Sequence, residues 1–349
     1  MIHSYNRKIS IMNKVILLIV LIMISCGPKG TPEERIDNLM QEAFDKGDFV
    51  GSVLVANNGT IIYQKNFGMA DAENKIPVSD STKFLIASVS KPFTAILILQ
   101  LVEEGEIYLH DPLSKFFNVP SDSRASTVTI HQLLTHTSGI EELIKEDHAF
   151  GEADLEQAGF DFDPGSDFKY SSTGYVILKE IAERVSGKDY ETLIDERICR
   201  RAQLRSSGVA RDLRDIRNLA LGYETAEQVS STDIGYPLRI VDGAGSLYST
   251  ATDLFELDRT LYSEDILSKK SIELMQQQHV KERFGYGWFL RERSGIWDVM
   301  YHEGDLPGYT SFISRRTKKD EVIILLSNIQ DLDLSDIESD LSAILKFDN

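Results

Sequence analysis

The sequence predicts an α+β fold: one antiparallel sheet, flanked by helices, is formed from both ends of the chain, and a mainly helical lobe is inserted between its two halves. Three observations lead there. Strand-like runs occur near the two ends, at 51–67 and again at 284–327. Between about 128 and 275 the apolar residues recur mostly at helical spacing. Between them lies a helix, 89–104, whose apolar residues Phe93, Ile96, Leu97, Leu99, Leu101 and Val102 nearly surround it, so it belongs inside the molecule. Two lobes arranged in this way leave a cleft between them, where a ligand should sit.

The elements follow in order. Residues 1–25 carry Arg7, Lys8 and Lys14 and then an apolar run from Val15 to Ile24, the pattern of a removable secretory leader too short to span a bilayer as a mature helix. Met23-Ile24-Ser25-Cys26 resembles a bacterial lipobox, in which the cysteine is acylated. The expectation is a lipoprotein of the bacterial cell envelope, held at a membrane through Cys26 and facing the periplasm, with 26–34 as a tether and 35–349 as the globular domain. A plain leader with an incidental cysteine is the alternative. Pro32 to Lys46 is polar and amphipathic. Gly51–Ala56 and Thr60–Phe67 flank Asn57-Asn58-Gly59, and Asn58-Gly59 suits the type I′ turn of a hairpin, whose central residues both need positive φ.

The inserted lobe, about 115–275, has its clearer helical pieces at 130–134, 175–185, 190–198 and 251–261. Strands return at 284–291, 297–301, 310–315 and 322–327. A last helix, 335–345, has Ser335 as its N-cap, with Glu338 completing a capping box.

Charge and cysteine content narrow the function. The chain has 37 Lys and Arg against 55 Asp and Glu, a formal charge of −18; removal of the leader takes three positive and no acidic charges and moves it to −21. Nucleic acid is therefore not an expected partner. With Cys26 acylated, Cys199 has no cysteine left to pair with, and it reads as a small buried hydrophobe. The histidines show no metal-binding spacing such as H-E-x-x-H, and no cofactor is called for.

The chemistry centres on Ser88-Val89-Ser90-Lys91. A serine and a lysine three residues apart at the start of a helix share one face, so the amine can take the hydroxyl proton. Ser166-Asp167-Phe168-Lys169 has the same spacing, but it follows Asp163-Pro164-Gly165, a turn signature, whereas Ser88 follows the apolar run Phe84-Leu85-Ile86 and precedes Pro92 in the first helical turn. On spacing alone, a capping Ser88 with a solvated Lys91 explains the pattern equally well. As a base, Lys91 would need burial to lower its pKa from about 10.4.

Further motifs decide between these readings. Leu101 to Leu113, Leu133-Leu134-Thr135-His136-Thr137-Ser138-Gly139, Tyr170-Ser171-Ser172-Thr173-Gly174-Tyr175, Gly243 to Leu254, Gly285-Tyr286-Gly287-Trp288, His302-Glu303-Gly304 and Pro307-Gly308-Tyr309 follow one another along the chain. Together with Phe84 to Ala95 they resemble the serine β-lactamase-related hydrolases, the group of class C β-lactamases, D-alanyl carboxypeptidases and related esterases, so the expected fold is β-lactamase/transpeptidase-like.

The resemblance implies that Ser88 is the acylated nucleophile, Lys91 its proton partner and Tyr170 the second acid/base, acting as a base only if a cation such as Lys91 stabilises its phenolate. It also implies an oxyanion hole made by the amides of Ser88 and Asp305, close approach of substrate at Gly304, and a substrate or Tyr170 contact for His302, which falls where the lactamases have lysine. Ser172 stands where the second motif has asparagine; it is shorter and offers a single donor, which weakens the case for β-lactam turnover. His136 is expected in a structural turn, with Gly139 ending a helix. The implied activity is a serine hydrolase forming an acyl-enzyme on a small ester or peptide. The alternatives are a penicillin-recognising protein or weak β-lactamase, and a catalytically silent module that binds cell-wall peptide.

Overall fold

The first hairpin forms as its turn chemistry dictates. Asn58 and Gly59 both adopt positive φ, 49° and 71°, and join β1 (Gly51–Asn57) to β2 (Thr60–Phe67). The computed structural model describes residues 30–144, 148–229, 231–293 and 296–346, so Cys26 and the leader lie outside the described residues. Helix α1 (Pro32–Lys46) precedes the hairpin, capped by a reciprocal Thr31–Glu34 box and ended by Gly47 at φ 81°. Residues 32–34, assigned to a tether on the sequence, are thus the first turn of a capped helix.

The chain returns to the same sheet at its other end. Strands β3 (Phe289–Arg293), β4 (Ile296–Leu306), β5 (Tyr309–Arg316) and β6 (Glu321–Ser327) complete an antiparallel sheet of order β2-β1-β6-β5-β4-β3. The first strand pairs with the last, Leu54 opposite Ile324. Alternation then separates two cores. Val53, Val55, Ile323 and Leu325 face α1 and the final helix α6 (Leu334–Lys346), meeting Ile36, Met40, Leu341 and Leu345. Leu54, Ala56, Ile324 and Leu326 face the interior, where α2 (Ser90–Glu103) runs with every residue from Ser90 to Leu101 buried.

The inserted lobe holds α3 (Ile130–Leu134), α4 (Ser172–Ser186) and α5 (Ala251–Tyr262), together with Tyr190–Ile194, which runs on as a π turn to Cys199. Cys199 is buried, and that burial pushes its thiol up to about 12. One short strand of this lobe, Leu247–Ser249, pairs with Phe84–Leu85 and so braces the segment leading into Ser88.

The final helix begins differently from expectation. Asp333, not Ser335, accepts the Asp336 amide (3.3 Å) and the Ser335 hydroxyl (2.8 Å). Glu338 caps nothing: it is 1% exposed, paired with Arg291 and bonded to Ser314 and Ser342. Asp caps as well as Ser. The sequence offered both frames, and burying Glu338 against Arg291 selects the earlier one.

Candidate active site

Ser88 sits in a 3-10 turn, Ala87–Val89, at the head of α2. The residue before it, Ala87, is held at φ 46°, a left-handed conformation that costs an L-residue roughly 1 kcal/mol and sharply turns the chain at the nucleophile. Lys91, one turn on, is completely buried. Its Nζ lies 3.0 Å from Ser88 Oγ, 3.3 Å from Ser172 Oγ and 3.0 Å from the carbonyl oxygen of Ala244. Burial pulls its pKa down to about 7, opposed by the charge of Glu142. A neutral amine fits this setting: two N–H groups donate to Ala244 and Ser172, and the lone pair is left to accept the Ser88 hydroxyl proton.

The turn that supplies Ala244 is itself pinned to α2. Thr94 donates to Gly243 O (2.6 Å), and the Leu247 amide donates to Ser90 Oγ (3.1 Å). Gly243 has φ 85°, and a Cβ there would stand 2.5 Å from Tyr175 O. A backbone carbonyl leaves no residue signature, so this anchor of Lys91 could not be read from sequence beyond the small-residue run 243–245.

Tyr170 joins this pair. Its hydroxyl hydrogen-bonds the Ser88 side chain, and the Lys91 amine lies 4.8 Å from its ring centroid. Burial raises the phenol pKa and the carboxylates of Glu142, Asp305 and Glu303 add to that, outweighing the Ser88 hydrogen bond. The expectation of a phenolate stabilised by Lys91 is therefore corrected: near neutral pH Tyr170 is a phenol, and the base is Lys91.

Tyr170 is placed by His136. That ring is 1% exposed in a turn at φ 57°; its Nδ1 accepts the Ser171 amide (3.1 Å), its carbonyl accepts the Lys169 amide (3.0 Å), and its ring centre is 4.5 Å from that of Tyr170. Burial holds it neutral, its pKa well below the ordinary value. It is a turn residue, as expected, and it grips the backbone on both sides of Tyr170. Gly139 does not end the helix, which stops at Thr135; it lies against Phe162, where a Cβ would come within 2.2 Å of the carbonyl oxygen. His136→Ala is expected to lower kcat on an aryl ester by about 10- to 100-fold with a smaller effect on KM. His136→Asn, whose amide oxygen can accept the Ser171 N–H, should recover part of that loss in steady-state assays.

The opposite wall is β4. Gly304 is pressed against the nucleophile turn: a Cβ on it would meet Ile86 O at 2.5 Å and Ser88 N at 2.9 Å. This places the Ser88 amide against the strand beside Asp305, the second oxyanion donor implied by the resemblance. His302 is 1% exposed, with Nδ1 donating to Glu303 O at 2.6 Å and its pKa lowered to about 3 by burial. It is packed 6.1 Å from the Tyr170 ring and 5.5 Å from Phe289, so it lines the floor under Tyr170 and is not exposed to contact substrate.

Glu142 went unmarked in the sequence. It accepts the Ser172 and Thr173 amides at 3.0 Å each, at the first turn of α4, and also bonds the Thr173 hydroxyl. Its partners are amides some thirty residues away, which no local pattern announces. The competing Ser166 and Lys169 lie in a turn, with Lys169 paired to Asp161 at the surface.

The family model described as Beta-lactamase matches residues 36–344. The chain is 29% identical over 334 residues to Penicillin-binding protein 4* of Bacillus subtilis (strain 168), an alignment covering 86% of this chain and 72% of that one. Its fold is similar to that of a penicillin binding protein from Bacillus halodurans, with TM-score 0.76 and 25% identity over 89% of this chain and 99% of the other. The D-amino acid amidase from Ochrobactrum anthropi SV3, solved with D-phenylalanine, has TM-score 0.76 at 23% identity over 91% of this chain and 99% of that one, a likeness of fold alone.

Proposed function

The chain belongs to the Beta-lactamase family, whose fold it has, and from that premise we propose that it is a serine hydrolase that cleaves a small ester or amide through an acyl-enzyme on Ser88, of the esterase or D-amino-acid peptidase type. One observation carries the proposal: a fully buried Lys91 with pKa about 7, its amine 3.0 Å from Ser88 Oγ, beside a Tyr170 hydroxyl bonded to the same serine. Binding alone requires no such set.

The steps follow from the proton positions. Ser88 Oγ attacks the substrate carbonyl carbon as its proton passes to Lys91 Nζ. The carbonyl oxygen takes up negative charge opposite the Ser88 and Asp305 amides. The Tyr170 phenol gives its proton to the departing oxygen or nitrogen, the carbon–leaving-group bond breaks, and Lys91 returns a proton to Tyr170. Water then attacks the acyl-serine, losing its proton to Lys91 or Tyr170, and Ser88 is released with the free acid. Attachment at the cell envelope through Cys26 belongs to the same proposal and rests on the leader pattern alone.

The test is mass spectrometry after brief exposure to p-nitrophenyl esters, D-Ala-D-Ala peptides and penicillin. An acyl mass on the peptide containing Ser88 is expected from an ester or amide. The names of the penicillin-binding relatives favour a second reading, and a stable penicilloyl adduct with no ester turnover would establish that instead. If every acyl donor leaves Ser88 unmodified, the hydrolase proposal is wrong.

A further inference from the structure

We propose that the cleft selects substrates bearing a positively charged ammonium group, such as aminoacyl esters or amides with a free amine, and disfavours those bearing a carboxylate. This rests on the acyl-enzyme reading and names the substrate class of that site.

The charges around Ser88 are almost all of one sign. Glu142, Glu303 and Asp305 all act on the Tyr170 hydroxyl, and behind them Asp333 acts on Glu303 and Asp331 on Asp305. Glu142 is partly compensated by the two α4 amides it accepts. Glu303 and Asp305 have no ion-pair partner among the described residues, and burial and mutual repulsion raise the pKa of both. The guanidinium felt by Glu303 belongs to Arg291, which is already paired with Glu338.

No cation offsets this charge at the nucleophile among the described residues. Lys91 is enclosed and engaged with Ser88, Ser172 and Ala244, and His136 and His302 are neutral at physiological pH.

A second feature also asks for a donor. Because His302 Nδ1 donates to a carbonyl, Nε2 is a bare acceptor; it is buried without a hydrogen-bond partner, on a ring packed toward Tyr170. Unpaired carboxylates and an unfilled acceptor are what a donor-rich cation would satisfy.

The expected effect is about tenfold in kcat/KM for each unit of substrate charge at low salt, shrinking as ionic strength rises. The full-length protein is assayed with p-nitrophenyl esters of 6-aminohexanoate, hexanoate and adipate, acyl groups of similar length carrying positive, zero and negative charge. The expected order is cationic, neutral, anionic, with the spread narrowing between about 20 mM and about 300 mM salt. In Glu303→Gln/Asp305→Asn the spread should contract, with retained fluorophosphonate labelling of Ser88 showing that the site is folded. If that variant does not label, the wild-type order and its salt dependence decide alone. Equal rates for the three esters, or a preference for adipate, overturn the inference while Ser88-dependent turnover of hexanoate leaves the hydrolase reading standing. If no ester acylates Ser88, both fall together.

Discussion

Replacing Lys91 with methionine is expected to slow acylation of Ser88 by about 10³- to 10⁴-fold, and to leave a protein that gains heat resistance relative to the wild type at neutral pH. The first effect follows from removing the one base whose nitrogen lies 3.0 Å from Ser88 Oγ. The second follows from the burial that makes it a base. A lysine whose folded pKa is about 7, against the ordinary lysine value of 10.5, binds fewer protons folded than unfolded throughout that interval. Stability therefore rises with pH between about 7 and 10.5 in the wild type, and Lys91→Met lacks this dependence. Melting curves of the two proteins should converge as pH approaches 10.5. The same pKa shapes the rate. Below about pH 7 the amine is protonated and cannot accept from Ser88, so log(kcat/KM) should climb with unit slope and level off above it. A wild-type profile flat from about pH 5 to about pH 9 would remove Lys91 from the role of base.

Gly304→Ala is expected to cost about 10²- to 10³-fold in kcat, together with about 1–3 kcal/mol of stability. The added methyl would meet Ile86 O and Ser311 Oγ at 2.5 Å and Ser88 N at 2.9 Å. Two of these three are backbone atoms of the nucleophile turn, and they cannot rotate away as a side chain would. Either β4 or that turn has to move, and either movement pulls apart the two amides that face the developing oxyanion. The measurements are single-turnover acylation and thermal melting on one preparation. Wild-type acylation in a folded Gly304→Ala protein would show that the strand does not form the oxyanion wall.

The architecture was largely legible because its signals are local or periodic. Asn58-Gly59 specifies its turn without help from the rest of the chain, and the all-round apolar character of 89–104 could only mean a buried helix. Strand edges moved by a few residues: the run at 284–291 became a strand only from Phe289, and 297–301 extended to Leu306. The Ser335 cap failed because two frames were locally equivalent, and a contact from Glu338 to Arg291, forty-seven residues earlier, decided between them.

At the site, Ser88, Lys91, Tyr170 and Ser172 were visible as side chains in motifs, and the structure brings them together. Gly304 and the strand beside Asp305 lie next to them. The Ala244 carbonyl, the grip of His136 on Tyr170 and the capping role of Glu142 were not visible. Each is made through backbone groups, which every residue possesses and no sequence distinguishes. The ionisation of Tyr170 was misjudged for a related reason: three carboxylates far apart in the chain converge on it only after folding.

The pairing of β1 with β6 joins Leu54 to Ile324 across most of the polypeptide. On the ribosome, therefore, the centre of the sheet has no neighbour until the last strand has emerged, whereas the inserted lobe is complete long before. Nascent chains should pass through a stage in which the lobe is formed while the β1–β2 hairpin waits with an open edge. A product cut short by even thirty residues would keep Ser88, Lys91 and Tyr170 yet lack the strand that holds the hairpin in place. Chaperone demand during synthesis should accordingly peak just before termination.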